Sequence, residues 1–168
     1  MSKLEQAQIE YQNFISQFQS LVLSTADSAG SPNASYAPFV VDKAKNFYIY
    51  VSGLSTHTQN LQVNPQGSLL LLEDETQSQQ IFARRRLTFN CTATLIERNS
   101  EHWQKIVNQF SEKFGDIIQV FRDLPDFRII QLKPQSGRFV LGFGAAYQVC
   151  LEGESYLLPL QGKGHNQA

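Results

Sequence analysis

The sequence predicts a mainly β protein, an antiparallel barrel flanked by helices, and three observations lead there. The stretch 21–51, LVLSTADSAGSPNASYAPFVVDKAKNFYIYV, holds three short apolar runs separated by the turn-prone segments DSAGSPN and DKAKN. Runs this short, bounded by Gly, Pro, Asn and Asp and rich in Val, Phe and Tyr, fit the pleated surface of a sheet better than a helix. Further on, Leu87, Phe89, Cys91, Ala93 and Leu95 alternate with polar residues, which places them on one face of a long strand.

In chain order, Ser2 and Glu5 have capping-box spacing, and Leu4, Tyr11, Phe14, Ile15 and Phe18 share a helical face. An amphipathic helix over 3–18 follows. A lid over one end of the barrel accounts for it more simply than a partner-binding helix. After the three-stranded meander, Ser55 caps a short helix through His57, Asn60 and Leu61, and Asn64–Pro65 ends it. GSLLLLEDE reads as a buried strand, and the alternating run from Leu87 as the next. Asn99 and Ser100 open a second long helix. Its Trp103, Ile106, Val107, Phe110 and Phe114 recur at helical spacing and Gly115 stops it, a stripe that reads as core rather than as a cofactor box. Beyond Leu124–Pro125, the segment FRIIQL, a PQSG turn, RFVLGFG and AAYQVC supply the closing strands. Residues 1–150 are expected to form one domain. Residues 151–168 form a tail in which LLPL adds an irregular edge before the terminal GKGHNQA.

A chain of 168 residues can bury a single substantial core. Its net charge of -1 argues against a nucleic-acid partner, which needs a broad basic face. No apolar run approaches the roughly 18 residues of a membrane span. The N-terminal MSKLEQAQIEYQNF is too polar for a secretory signal, so a soluble, cytoplasmic protein is expected. Cys91 and Cys150 lie in apolar runs, where a thiol acts as a small buried hydrophobe rather than half of a disulfide.

Three places carry residues suited to chemistry. In the cluster Arg84–Arg85–Arg86, strand alternation would put Arg84 and Arg86 on one face, and their guanidinium forks suit phosphate or carboxylate. A solvated basic edge that discourages strand aggregation explains the same residues. His57, Thr58 and Asn60 bring donors to the start of a helix and can meet an anion, while a hydrogen-bonded structural histidine explains His57 equally well. His102 reads as surface. His165 has no packing task in its glycine-flanked tail.

These same residues carry a resemblance. LSTADSAGSPNASYAPFV followed by FYIYVSGLSTHTQNLQVNPQGSLLLLED resembles the flavin-binding split-barrel superfamily that includes pyridoxamine 5'-phosphate oxidases. LSTHTQNL, ARRRLTFNCTATLI and LPDFRIIQLKPQSGRFVLGFGAAY are similar to the haem-utilisation proteins of the HugZ/HutZ type, over about residues 10–150 and more loosely into the tail. The resemblance implies an FMN-binding-like split β-barrel that forms a homodimer and holds haem b at the dimer interface. The haem is then both cofactor and substrate, cleaved with O2 and electrons from an external donor to release iron. With no Cys-x-x-Cys-His motif, it is held non-covalently. By the same resemblance His165 is the iron ligand, Asp126 in LPDFR is the acidic residue that meets it from the partner subunit, and Arg86 lies near the haem, where it can assist dioxygen chemistry. In flavin-binding relatives the region of His57 helps hold the phosphate. Two alternatives stand beside this reading: an FMN-dependent oxidoreductase of the pyridoxamine-phosphate-oxidase kind, and a non-enzymatic haem storage or delivery protein.

Overall fold

The computed structural model describes residues 1–160 of the chain. The three apolar runs are strands β1 (Ser20–Ala26), β2 (Pro32–Val41) and β3 (Phe47–Ser52). Side chains make the turns between them. Asp27 Oδ1 accepts the backbone N–H groups of Ala29 and Ser31, and Asp42 does the same for Asn46. Strands β4 (Gln66–Leu72), β5 (Arg86–Leu95), β6 (Phe127–Gly142), β7 (Ala145–Cys150) and β8 (Tyr156–Pro159) complete one antiparallel sheet in the order β3-β2-β1-β4-β5-β6-β7-β8. Because β3 also pairs with β6, the first six strands in that order close into a barrel, and β7 and β8 extend outward from β6. A closed six-stranded antiparallel barrel with flanking helices, as expected, is the fold of this chain.

PQSG does not turn the chain. It lies inside β6, a continuous strand of 16 residues whose ladder with β5 slips by one residue opposite Asn90 and Cys91. A bulge increases local twist and tolerates a proline, so Pro134 marks a bend rather than a reversal. The bent strand can therefore pair with β3 through its first half and with β5 and β7 through its second.

The barrel interior follows the predicted alternation: Leu87, Phe89 and Cys91 are buried together with Leu21, Phe47, Leu69 and Phe139. Burial pushes the Cys91 thiol up to about 12. Helix α1 (Lys3–Phe14) starts at a complete Ser2/Glu5 capping box and sets Tyr11 and Phe14 edge-on against Phe139 at 5.6 and 5.2 Å, closing one end of the barrel. It is shorter than expected: residues Ile15–Gln17 form a 3-10 turn, and Leu4 remains exposed. Helix α2 (Thr56–Val63) lies where Ser55 predicted it, although the Ser55 side chain makes no capping bond. Helix α3 (Glu101–Phe114) buries Trp103, Ile106, Val107 and Phe110 against Tyr48, Tyr50 and Ile129 in a second core outside the barrel. A further helix that the sequence did not announce, α4 (Ile117–Asp123), completes that layer. Among the described residues, no helix is long and apolar enough to cross a membrane.

Candidate functional site

The candidate residues fall into two groups at opposite ends of β6. At one end stands the arginine cluster. The link between β4 and β5 folds back on itself, and Glu73, only 8% exposed, organises it. Its carboxylate accepts Arg85 Nε at 2.7 Å, and its carbonyl accepts Arg84 Nε at 2.9 Å. Arg85 also pairs with Glu10 at 3.1 Å, and Arg84 with Glu75 at 3.4 Å. Arg84 precedes the strand instead of lying in it, so alternation does not place it beside Arg86. Arg86, the first residue of β5, differs from both. Its Nη1 donates to the Arg84 carbonyl at 3.0 Å, and among the described residues no carboxylate lies within ion-pair distance of it. It opens onto a groove of about 430 Å³ on the outer face of β5 and β6, lined also by Thr88, Asn90, Ser136 and Arg138.

At the other end, the junction of β3 and α2 meets the start of β6. Ser52 Oγ donates to Asp126 Oδ2 at 2.8 Å, and the Gly53 N–H donates to the Asp126 carbonyl at 2.7 Å. A Cβ at Gly53 would lie 2.7 Å from that carbonyl oxygen, so the approach requires glycine. Thr58 Oγ1 donates to the Ser52 carbonyl at 2.7 Å, and buried Asn60 donates to Thr25 Oγ1 at 3.0 Å. Both side chains thus fasten α2 to the barrel. His57 Nδ1 lies 2.9 Å from Ser35 Oγ, while its Nε2 is buried without a hydrogen-bond partner. Burial holds the imidazole below its ordinary pKa and favours the neutral ring. His102 is exposed, yet its Nε2 lies 3.1 Å from the Tyr48 hydroxyl.

The geometry therefore joins Asp126 to Thr58 through Ser52, leaves His57 on Ser35 beside them on α2, and separates all of them from Arg86. His165 lies outside the described residues. Two contributors escaped the sequence reading. Arg138 was legible, since Phe139 faces inward and alternation turns Arg138 outward. Ser52 gave no local signal, because its partner Asp126 is 74 residues away.

Residues 7–141 match the pyridoxamine 5'-phosphate oxidase family. A Vibrio cholerae serotype O1 protein named Heme oxygenase HutZ is 45% identical over 140 residues, covering 83% of this chain and 79% of that protein. This chain belongs to the pyridoxamine 5'-phosphate oxidase-like family, and within it to the HutZ type. Among solved structures, HutZ from Vibrio cholerae, described as a heme storage protein, is similar at 40% identity and a TM-score of 0.77, over 84% of this chain and 99% of that one. Campylobacter jejuni ChuZ is similar at 32% identity and a TM-score of 0.84, over 100% of this chain and 68% of that one. Both groups of described residues lie within the span 7–141 that matches the pyridoxamine 5'-phosphate oxidase family.

Proposed function

We propose that this chain binds haem non-covalently at the interface of a homodimer and degrades it, with dioxygen and an external electron donor, to release iron. The observation that carries the reading is the 45% identity to a protein named Heme oxygenase HutZ, joined to an arginine groove that suits a ligand bearing carboxylates. Bound haem would supply the iron at which dioxygen is reduced, and would itself be the substrate.

In this reading His165 would hold the haem iron and Asp126 of the partner subunit would accept the N–H of its second ring nitrogen, which fixes the tautomer and strengthens the ligand. Chain geometry supports the division between subunits. Leu72, Arg86, Val140 and Ala146 form one cross-strand row, and the Leu160 N–H donates to the Ala146 carbonyl at 2.9 Å. The last described residue thus stands three strands from Arg86, about 14 Å at ordinary strand spacing. Asp126 lies beyond the opposite end of the 16-residue strand β6 from Val140. A carboxylate for His165 is therefore better supplied by a second copy. Arg86 contributes charge to haem binding or to dioxygen chemistry.

The test is to add haem and then a reductant such as ascorbate under air. Loss of the Soret band, biliverdin-like absorption and chelatable iron support degradation. A stable Soret band throughout supports storage, the description given to the solved HutZ structure. A yellow protein that releases FMN on denaturation and ignores haem supports the flavin reading, which rests on the family match.

A further inference from the structure

Of the arginines in the link before β5 and on the adjoining outer face of β5 and β6, two lack an acidic partner among the described residues. Arg84 and Arg85 are matched by Glu75, Glu73 and Glu10, whereas neither Arg86 nor Arg138 has a carboxylate within 4.0 Å. Both line the same groove. Arg138 is directly opposite Thr88, and Arg86 lies two residues before Thr88 on the same strand face, so the two are diagonal neighbours. Such neighbours stand about 7–8 Å apart, close enough for like charges to repel and for one ligand to meet both. Thr88 and Val140 hold the other two corners of the square that Arg86 and Arg138 define, and the next row, Asn90 opposite Ser136, is polar. Asn90 Nδ2 donates to Ser136 Oγ at 3.2 Å, which leaves the Ser136 O–H free to donate into the groove, and Thr88 adds another hydroxyl. Two uncompensated guanidinium forks above neutral donors make a receptor for carboxylate groups.

We propose that Arg138 is a ligand-binding residue that receives a carboxylate of the bound tetrapyrrole in the groove it shares with Arg86. The proposal rests on the haem reading and adds a specificity determinant: the site selects for the free propionates, not for the ring alone. Ser136 and Asn90 orient the same carboxylate. Lysine at position 138 keeps the charge and loses the fork, so Arg138→Lys recovers part of what Arg138→Ala removes.

The test compares haem, haem dimethyl ester and iron-free protoporphyrin IX on the wild type, Arg138→Ala and Arg138→Lys. Haem binding is read from the Soret band and porphyrin binding from quenched protein fluorescence. The wild type should prefer haem to its dimethyl ester. Arg138→Ala should weaken haem and protoporphyrin IX about tenfold, change the ester little and so erase the preference, with Arg138→Lys intermediate. Equal binding of haem and ester by the wild type overturns the proposal, as does an Arg138→Ala variant that retains the preference. A variant whose sedimentation changes while its tetrapyrrole affinity does not makes Arg138 an interface residue and also overturns it. Protoporphyrin IX carries no iron, so its arm reports on the ring and its carboxylates without iron ligation. A His165→Ala protein with an unchanged haem spectrum overturns the ligation reading and leaves the Arg138 result standing.

Discussion

Ser52 Oγ donates to Asp126 Oδ2 at 2.8 Å and accepts the Leu54 N–H at 3.1 Å, so the last residue of β3 sets the direction of a carboxylate 74 positions away. Ser52→Ala removes a hydrogen bond to a charged group and leaves Leu54 N–H to water. The loss should be about 1 kcal/mol, lowering Tm by about 2–4 °C. Differential scanning calorimetry checks it, and an unchanged Tm would mean that solvent replaces the contact fully.

Gly53→Ala should cost more. Its Cβ would sit 2.7 Å from the Asp126 carbonyl oxygen, where the Gly53 N–H now makes its own bond to the same atom. The obstacle is backbone, so either β3 or the Asp126 loop must shift, at about 1–3 kcal/mol. Urea denaturation measures the loss, and the Gly53→Ala protein should also show altered haem binding if Asp126 belongs to the site.

Much of this architecture was legible because local rules governed it. Inward Leu87, Phe89 and Cys91 and the Trp103 to Phe110 stripe obey periods of two and of 3.6, and the Ser2/Glu5 box a fixed three-residue spacing. What stayed hidden depends on distant partners. Pro134 and Gly137 imitate a turn, and pairing with β5, joined at Gly137 by β7, keeps β6 extended through them. Arg84 looked like a strand residue sharing a face with Arg86, but Glu73 holds it in the preceding link. Within the candidate site the residue types were readable. Their separation into two ends of β6 was not, because it follows from the register of the closed barrel.

The N-terminal helix should govern how the C-terminal strand is held. The Gln8 amide donates through Nε2 to the Ser155 carbonyl at 3.1 Å and accepts the Leu157 N–H at 2.9 Å, and Tyr11 donates to Ser155 Oγ at 3.1 Å. Gln8→Ala and Tyr11→Phe each remove part of this clamp at the strand that leads to His165. Hydrogen exchange at Leu157 should rise about fivefold or more in Gln8→Ala, corresponding to about 1 kcal/mol of local stability. Unchanged protection would assign β8 entirely to its pairing with β7.

Acid should destabilise the fold partly through His57. Burial lowers its pKa in the native state, so the unfolded chain, with an ordinary value near ~6.5, takes up the proton first as pH falls. The stability contributed by the neutral ring is present above about 6.5 and declines as pH drops through the window below it. Unfolding free energies at pH 7.5 and at about 5.5 should therefore differ less for His57→Gln than for the wild type. An equal difference in both would show that other groups carry the acid response.

The proposed pairing of His165 with Asp126 across subunits makes the most demanding prediction. His165→Ala should change the haem spectrum and abolish or strongly reduce degradation. Asp126→Asn should retain an iron–histidine bond of altered strength, because an amide accepts the imidazole N–H less strongly than a carboxylate does. Truncation after Gly164 should reproduce the His165→Ala spectrum; an unchanged spectrum and turnover would remove the tail from the site and make His57 the next residue to test. The subunit question needs both variants together. In a mixed dimer of His165→Ala and Asp126→Asn chains, one site would carry both substitutions and the other neither. If subunits exchange at random, half of the dimers are mixed and half of their sites are intact, so about a quarter of wild-type turnover should return on mixing two impaired proteins. A site built within one chain would carry one substitution wherever it formed, and mixing would restore nothing.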